Sequence, residues 1–158
     1  MAAKRLAAEW AAMEANPDEK DRFFGESKIN DLKWTMRLMI DDDADCCYAG
    51  GCYELELTFP AEYPFKMPHP RFCKPYPFHP CIHQKNGEPE LFPMDAWGPT
   101  KNVRWIMSEI HKMFLNEGSD NHCLDADIMK LKQENYEAFV KKVKDQITEL
   151  NEWKGYVN

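Results

Sequence analysis

Proline placement constrains the fold of this chain more than any other feature of its sequence. Ten of the eleven prolines lie between Pro60 and Pro99. Because proline fixes φ and cannot donate to a hydrogen-bond ladder, this stretch cannot consist mainly of regular helix or central strand. One short strand is expected within it, over residues 70–74. The sequence therefore predicts a long ordered loop, and loops held on a rigid scaffold concentrate binding and catalytic residues.

Alternating apolar residues before this loop predict an antiparallel meander. Apolar side chains occupy every second position over residues 32–40 and again over 53–59, as in strands with one buried face. Between them, four aspartates within residues 41–45 indicate an acidic turn. Gly50-Gly51 supplies the backbone freedom that a hairpin connection needs. We expect the two strands to pair and to bury one face of their sheet.

Helical spacing of apolar residues marks both ends of the chain. A first helix is predicted over residues 1–15, ended by Asn16-Pro17, with Leu6, Trp10 and Met13 on its apolar face. A second helix begins after Thr100 and ends at Gly118, and a short one follows over 126–132. The last helix is long, and the apolar residues at helical spacing that we expect to face the core are Tyr136, Phe139, Val140, Val143, Ile147 and Leu150.

Size and charge exclude several classes of protein. A chain of 158 residues, 44% apolar and 30% charged, is expected to form one globular domain. Its net charge of −7, with no Lys/Arg-rich stripe, argues against nucleic-acid binding. We expect no membrane insertion, because no stretch of about 20 consecutive apolar residues occurs. The N-terminus lacks the continuous apolar segment of a secretory signal.

Cysteine usage suggests a reducing compartment. A chain of this length and apolar content needs no disulfide framework, so reduced thiols are expected. We therefore predict a cytoplasmic or nuclear protein; Glu9 and Glu14 argue against a mitochondrial presequence, and an organelle stays open if a targeting segment was removed. The six cysteines are Cys46, Cys47, Cys52, Cys73, Cys81 and Cys123.

Short motifs follow one another in a distinctive order along the chain. They are Tyr48-Ala49-Gly50-Gly51, Tyr63-Pro64-Phe65-Lys66-Met67-Pro68, His79-Pro80-Cys81, Gly87 with Glu90 three residues later, and Trp97-Gly98-Pro99. This order and spacing resembles the core domain of ubiquitin-conjugating enzymes over roughly residues 3–150. The resemblance implies a single α+β domain over residues 1–158: an N-terminal helix, an antiparallel meander sheet, a long Pro-rich active-site loop and C-terminal helices.

The resemblance also shows a changed active site. Glu90 stands where the family has its catalytic cysteine, and Cys81 replaces the asparagine of a His-Pro-Asn triplet whose His79 and Pro80 are retained. The family's thiolate takes the C-terminal glycine of ubiquitin as a thioester and passes it to a lysine, which requires a good nucleophile that is also a good leaving group. A carboxylate forms only a mixed anhydride, which water destroys. The asparagine amide donates strongly and a thiol only weakly.

Further departures from the family pattern point to the same conclusion. Phe92 occupies the place of an aspartate, Pro89 stiffens the approach to Glu90, and the spacing from Glu90 to Trp97 is one residue short. Asn121-His122-Cys123-Leu124 replaces an acidic stretch that helps to deprotonate the lysine. The resemblance thus implies an inactive variant that works by binding, with no catalytic residue, no cofactor and a rebuilt loop over residues 88–95.

Two other interpretations of these residues stay open. Cys81 is a candidate relocated nucleophile in an active conjugating enzyme, since a cysteine beside histidine can have a lowered pKa and His79 and His83 flank it. The simpler interpretation is a small thiol that fills the space of the asparagine. The same His-x-Cys-x-His run could also bind zinc, but it lacks a paired Cys-x-x-Cys and suits a tetrahedral site poorly, so we expect no metal.

Binding surfaces are the remaining prediction from the resemblance. Lys4 and Arg5 match basic residues of the first helix that meet the ubiquitin-activating enzyme. Phe65 and Pro99 fit the ligase-facing surface, although Phe65 between prolines is alternatively a core residue. The expected partners are an active conjugating enzyme, ubiquitin or a ubiquitin-like modifier, a ligase, or subunits of a larger assembly. Orienting ubiquitin for a partner enzyme is one form of such binding.

Overall fold

The computed structural model describes residues 2–16, 24–30, 32–90, 96–117 and 125–153. Its elements are α1 (Ala2–Glu14), β1 (Phe24–Asn30), β2 (Lys33–Met39), β3 (Cys52–Thr58), β4 (His69–Phe72), α2 (Val103–Leu115), α3 (Ala126–Glu134) and α4 (Tyr136–Trp153). The strands form one antiparallel sheet in the order β1-β2-β3-β4. The predicted α+β class is confirmed.

The central pair of strands follows the predicted alternation. β2 and β3 pair without a register shift from Lys33 opposite Thr58 to Met39 opposite Cys52. Trp34, Met36 and Leu38 are fully buried, and the residues between them are half-buried, because successive side chains of a strand point to opposite faces. One face of the sheet therefore forms the floor of the core.

β1 was not predicted from the sequence. Its large apolar residues, Phe24 and Ile29, lie five positions apart and so give no alternating pattern. Pairing with β2 is interrupted by two register shifts. β4 was expected at 70–74 and lies slightly earlier, at His69–Phe72.

The turn between β2 and β3 has the predicted acidic character and depends on glycine. Gly50 has φ +81°, a conformation that L-residues with a side chain rarely adopt. Its N–H donates to the Ile40 carbonyl at 3.0 Å, and the Ile40 N–H donates to the Gly51 carbonyl at 2.8 Å. These bonds close the hairpin.

The helices pack their apolar faces onto the sheet. α2 begins after Asn102, whose side chain accepts the Trp105 N–H, and it ends at Leu115 rather than at Gly118, which lies outside the described residues. α4 buries one face on the same core, but Tyr136 is 48% exposed, so its predicted core position is wrong. Its hydroxyl donates instead to the Glu117 carboxylate. The buried residues of α4 are Phe139, Val143, Ile147 and Leu150.

Membrane insertion has no helical basis in the described ranges. None of their helices combines the length and the apolar character needed to cross a bilayer.

Candidate functional site

The segment that leads into the site is held by side chains from distant elements. Tyr48, in the turn between β2 and β3, donates its hydroxyl to the Phe78 carbonyl at 2.7 Å. Gln146 of α4 accepts the Phe78 N–H at 2.7 Å and donates its amide to the Tyr76 carbonyl at 2.8 Å. These bonds fix the backbone conformation of the segment that precedes His79.

His79 is fully buried, and both of its ring nitrogens are engaged. Nδ1 accepts the Cys81 N–H at 3.0 Å, so Nε2 carries the proton and donates to the Met113 carbonyl at 3.0 Å. Burial lowers the pKa of His79 to about 3, against a weaker opposing effect of the bond to Met113. The imidazole stacks on the ring of Tyr48 at 5.1 Å and meets the edge of Phe114 at 5.0 Å. His79 is thus a neutral core residue that ties the site to the end of α2.

This geometry bears on both alternatives for the His79–His83 run. A histidine whose two nitrogens are already bonded can neither take a proton from the Cys81 thiol nor ligate zinc without breaking those bonds. Within the described ranges, no group of three or more His, Cys, Asp or Glu side chains is arranged to hold a metal ion.

Cys81 and Glu90 lie side by side, although they are nine positions apart in sequence. The Glu90 N–H donates to the Cys81 carbonyl at 2.8 Å. Their side chains differ in environment: Cys81 is 2% exposed and packs in the core, whereas Glu90 is exposed. The structure therefore brings the two substituted positions together but gives solvent access to the carboxylate, not to the thiol.

Residues 82–89, here called the site hairpin, connect Cys81 to Glu90 and reverse the direction of the chain. Ile82 and Pro89 form an antiparallel bridge, and the His83 N–H donates to the Glu88 carbonyl at 2.9 Å. Gly87 has φ +80° and donates its N–H to the His83 carbonyl at 2.8 Å. The hairpin thus presents Glu90 at its end in a defined backbone conformation.

The site hairpin is fastened to the outer side of β4. The Phe72 N–H donates to the Gly87 carbonyl at 2.8 Å, and Arg71 Nε donates to the Asn86 carbonyl at 2.8 Å. His69 Nε2 lies 3.1 Å from a Glu88 carboxylate oxygen. No sequence pattern indicated these contacts, because they join residues whose local spacing has no period.

Two further thiols, Cys46 and Cys47, are not activated as nucleophiles. Burial raises the pKa of the Cys47 thiol, and the nearby Glu117 carboxylate raises it further. Burial also raises the pKa of Cys46. Because the thiolate is the reactive form, both cysteines are poor nucleophiles at neutral pH.

The predicted partner-binding residues have contrasting environments. Phe65 is 73% exposed, so the alternative that it fills the core is wrong. Pro99 and Lys4 are exposed as well. Arg5 differs, because its guanidinium is engaged within the molecule by the carbonyls of Pro99 and Lys101. Binding of a partner by these residues stays a prediction.

Several residues singled out in the sequence lie outside the described residues. These are Phe92, the 91–95 part of the predicted rebuilt loop, and Asn121 to Leu124.

Sequence reasoning missed two residues that organise the site and its surroundings, Gln146 and Glu9. The pair Arg5 and Glu9 has the i, i+4 spacing of a helical ion pair, which was a usable signal. The other partners of Glu9 and the partners of Gln146 lie 54 to 94 positions away along the chain, and no local pattern shows such contacts.

Comparison with known proteins gives consistent matches. A family model described as "Ubiquitin-conjugating enzyme" matches residues 5–147. Ubiquitin-conjugating enzyme E2 2 of Kluyveromyces lactis is 32% identical over 122 residues, which cover 77% of this chain and 73% of the relative. Human ubiquitin-conjugating enzyme E2 G2 is 29% identical over 154 residues, covering 89% of this chain and 90% of the relative.

Solved structures share the fold at lower sequence identity. A putative ubiquitin conjugating enzyme from Plasmodium yoelii superimposes with a TM-score of 0.80 at 23% identity, over 93% of each chain. The E2 domain of a ubiquitin conjugating enzyme from Toxoplasma gondii gives 0.77 at 22% identity, over 92% of this chain and 95% of that one.

Proposed function

Because this chain belongs to the ubiquitin-conjugating enzyme family, we propose that it is a member that acts by binding rather than by thioester transfer. One observation carries the proposal. Glu90, which the motif order aligns with the family's catalytic cysteine, exposes its carboxylate to solvent. Thioester transfer needs a sulfur nucleophile there, and a carboxylate cannot replace it.

The surroundings of Glu90 support the same proposal. The neighbouring thiol, Cys81, is 2% exposed, and the imidazole beside it is neutral with its acceptor nitrogen already occupied. An incoming acyl group would need the Cys81 side chain to leave the core, and His79 cannot act as a base toward the thiol while both of its ring nitrogens are bonded. Loss of the nucleophile thus leaves the fold intact and the usual chemistry without a starting point.

A binding role has a surface available to it. Phe65 exposes 73% of its area, and exposed aromatic residues are enriched where proteins meet. Members of the family interact with ubiquitin, with activating enzymes and with ligases. We propose a partner of that kind for this chain: an active conjugating enzyme, ubiquitin or a ubiquitin-like modifier, a ligase, or a larger assembly that contains one of them.

A second candidate function is an active enzyme that uses Cys81. The observation in its favour is the backbone hydrogen bond between Cys81 and Glu90, which places the thiol-bearing residue beside the family's nucleophile position. This function requires the thiol to turn out of the core at some stage of the reaction.

A charging assay separates the two candidates. The unaltered chain, Cys81→Ala and Glu90→Cys are each incubated with activating enzyme, ubiquitin and ATP, and run on gels with and without reductant. We expect no reducible adduct on the unaltered chain or on Cys81→Ala, and an adduct on Glu90→Cys. That pattern would show that the activating-enzyme surface is competent and that only the nucleophile is missing.

The opposite pattern has a clear meaning too. A reducible adduct on the unaltered chain that is absent from Cys81→Ala would overturn the binding role and establish a relocated nucleophile.

Titration of ¹⁵N-labelled ubiquitin with the uncharged chain measures binding directly. Phe65→Ala should weaken any interaction through that surface, and Leu115→Ala, a smaller exposed apolar truncation elsewhere, is the matched control.

A further inference from the structure

Two separate turns present the exposed apolar side chains Phe65 and Pro99, here called the docking surface. The turns are 34 positions apart in sequence, and the Trp97 indole N–H of one donates to the Pro64 carbonyl of the other at 2.9 Å. The rings of Tyr63 and Trp97 also lie 6.1 Å apart between their centroids. Further hydrogen bonds link the two turns through side chains of α1.

Glu9 of α1 is one of two residues whose side chains link the two turns. Its Oε2 accepts the Tyr63 hydroxyl at 2.7 Å, and its Oε1 accepts the Val103 N–H at 2.8 Å. The first bond fixes the turn that leads to Phe65. The second places a carboxylate at the N-terminus of α2, where the helix dipole favours negative charge. Burial and the Glu9 carboxylate raise the pKa of Tyr63, so the phenol stays a proton donor.

Arg5 is the second linking residue, and it lies one turn of α1 away from Glu9. Its Nη1 donates to the Pro99 carbonyl at 3.0 Å, and its Nη2 donates to the Lys101 carbonyl at 2.8 Å. Its Nε donates to Glu9 at 3.1 Å, and the guanidinium carbon lies 5.5 Å from the centre of the Tyr63 ring. The planar fork of arginine spans both carbonyls and the carboxylate at once, which a lysine cannot do.

We propose that Glu9 and Arg5 are positioning residues for the docking surface, which set the separation of Phe65 and Pro99 and so the shape that a protein partner meets. The side chain of Glu9 is only 14% exposed, so it affects a partner through the positions of the two turns and not by direct contact. The use assigned to the surface rests on the proposed binding function. The positioning itself is a property of the free chain.

The test is a comparison of ¹H–¹⁵N spectra of the free protein. Glu9→Gln keeps the size of the side chain and loses the charge and one acceptor. We expect it to shift the Trp97 indole signal and the Phe65 and Lys101 amide signals. Hydrogen exchange of the Trp97 indole should become about tenfold faster, the effect of losing one hydrogen bond to a charged group.

Two further variants make the comparison specific. Arg5→Lys keeps the charge, and we expect its spectral changes at Lys101 to exceed those at Phe65. Glu14→Gln is the matched control, since it alters a bond of the same helix, from the Trp10 indole at 2.6 Å, away from the docking surface. It should leave the Trp97 and Phe65 signals in place.

The inference fails if Glu9→Gln lowers the melting temperature but leaves the Trp97 and Phe65 signals where they are, since Glu9 would then stabilise without positioning. Should Glu9→Gln not fold, unchanged Lys101 and Phe65 signals in Arg5→Lys overturn it equally. Charging and ubiquitin binding by the unaltered chain decide the proposed function separately, so either idea can fail alone.

Discussion

His79 shows at the scale of a single residue how a motif can be retained for structural reasons. The side chain is completely buried, yet Nδ1 is bonded to the Cys81 N–H in the same loop and Nε2 to the Met113 carbonyl of α2, which offsets the cost of burying a polar group. Its neutral form is the one that fits, because a protonated ring would lose the acceptor that the Cys81 N–H needs. Retention of His79 therefore carries no implication of catalysis.

A pH dependence of stability follows from this burial. The pKa of His79 is about 3 in the folded chain and 6.5 as an ordinary histidine, so below pH 6.5 the unfolded chain binds a proton that the folded chain excludes. This contribution is complete above pH 6.5 and is lost as the pH falls from there toward 3. Between pH 7 and pH 5 we expect it to lower the free energy of unfolding by roughly 2 kcal/mol.

Urea denaturation at pH 7 and pH 5 measures this effect. His79→Gln should be less stable at both values but should lack the extra loss, so the difference between the two pH values shrinks. His83→Gln, at an exposed histidine of the same motif, should keep the difference of the unaltered chain. Equal pH dependence in all three proteins would contradict a buried neutral His79.

At the scale of elements, the sequence predicted the helices and strands that have a periodic apolar pattern and little beyond them. Alternation located β2 and β3, and helical spacing located all four helices, since one buried face leaves a repeat in the sequence. β1 has irregular pairing and no such repeat, and it was missed. The positions of Glu90 and Cys81 in the chain were read from motif order, but their direct contact and the burial of the thiol depend on how the site hairpin folds back.

Two glycines that flank the site allow a matched test of the site hairpin. A Cβ on Gly87 would lie 2.5 Å from the Phe72 carbonyl oxygen and at a positive φ, whereas a Cβ on Gly98 would meet nothing within 4 Å. Gly87→Ala should therefore cost about 1–3 kcal/mol in the free energy of unfolding. Gly98→Ala should range from neutral to about 1 kcal/mol more stable, because alanine restricts the unfolded chain.

Urea denaturation of both variants checks the pair, and hydrogen exchange of the Phe72 amide adds a local readout. That amide donates to the Gly87 carbonyl, so its exchange should be faster in Gly87→Ala and unchanged in Gly98→Ala. Equal stability of the two variants would mean that the tight approach of Gly87 to β4 does not exist in solution.

At the scale of the whole molecule, one aromatic side chain of α2 contacts both the sheet and the site segment. Phe114 of α2 meets the ring of Tyr53 from β3 at 4.8 Å, that of Tyr48 at 5.1 Å and that of Phe72 from β4 at 5.8 Å. It also contacts His79 of the site segment. Sheet, helix and site are thus parts of one packed unit, and the site's geometry depends on the stability of the whole.

Truncation of Phe114 tests this unity. Phe114→Ala should cost roughly 3–5 kcal/mol, a large share of the about 5–15 kcal/mol that stabilises a typical domain. Leu115→Ala, at the next position and 37% exposed, should cost less than about 1 kcal/mol. Thermal or urea unfolding followed by circular dichroism measures both, and comparable losses would contradict the assigned packing face of α2.

The bond from the Phe72 N–H to the Gly87 carbonyl has a consequence for self-association. An edge strand with unpaired N–H groups is a template on which another chain can add a strand, the first step of edge-to-edge aggregation. Here the outward donor of Phe72 on β4 is already occupied by the chain's own site hairpin. A foreign strand can pair at this point of the sheet only by first displacing the segment that leads to Glu90, so the site hairpin protects this part of the sheet edge from strand addition.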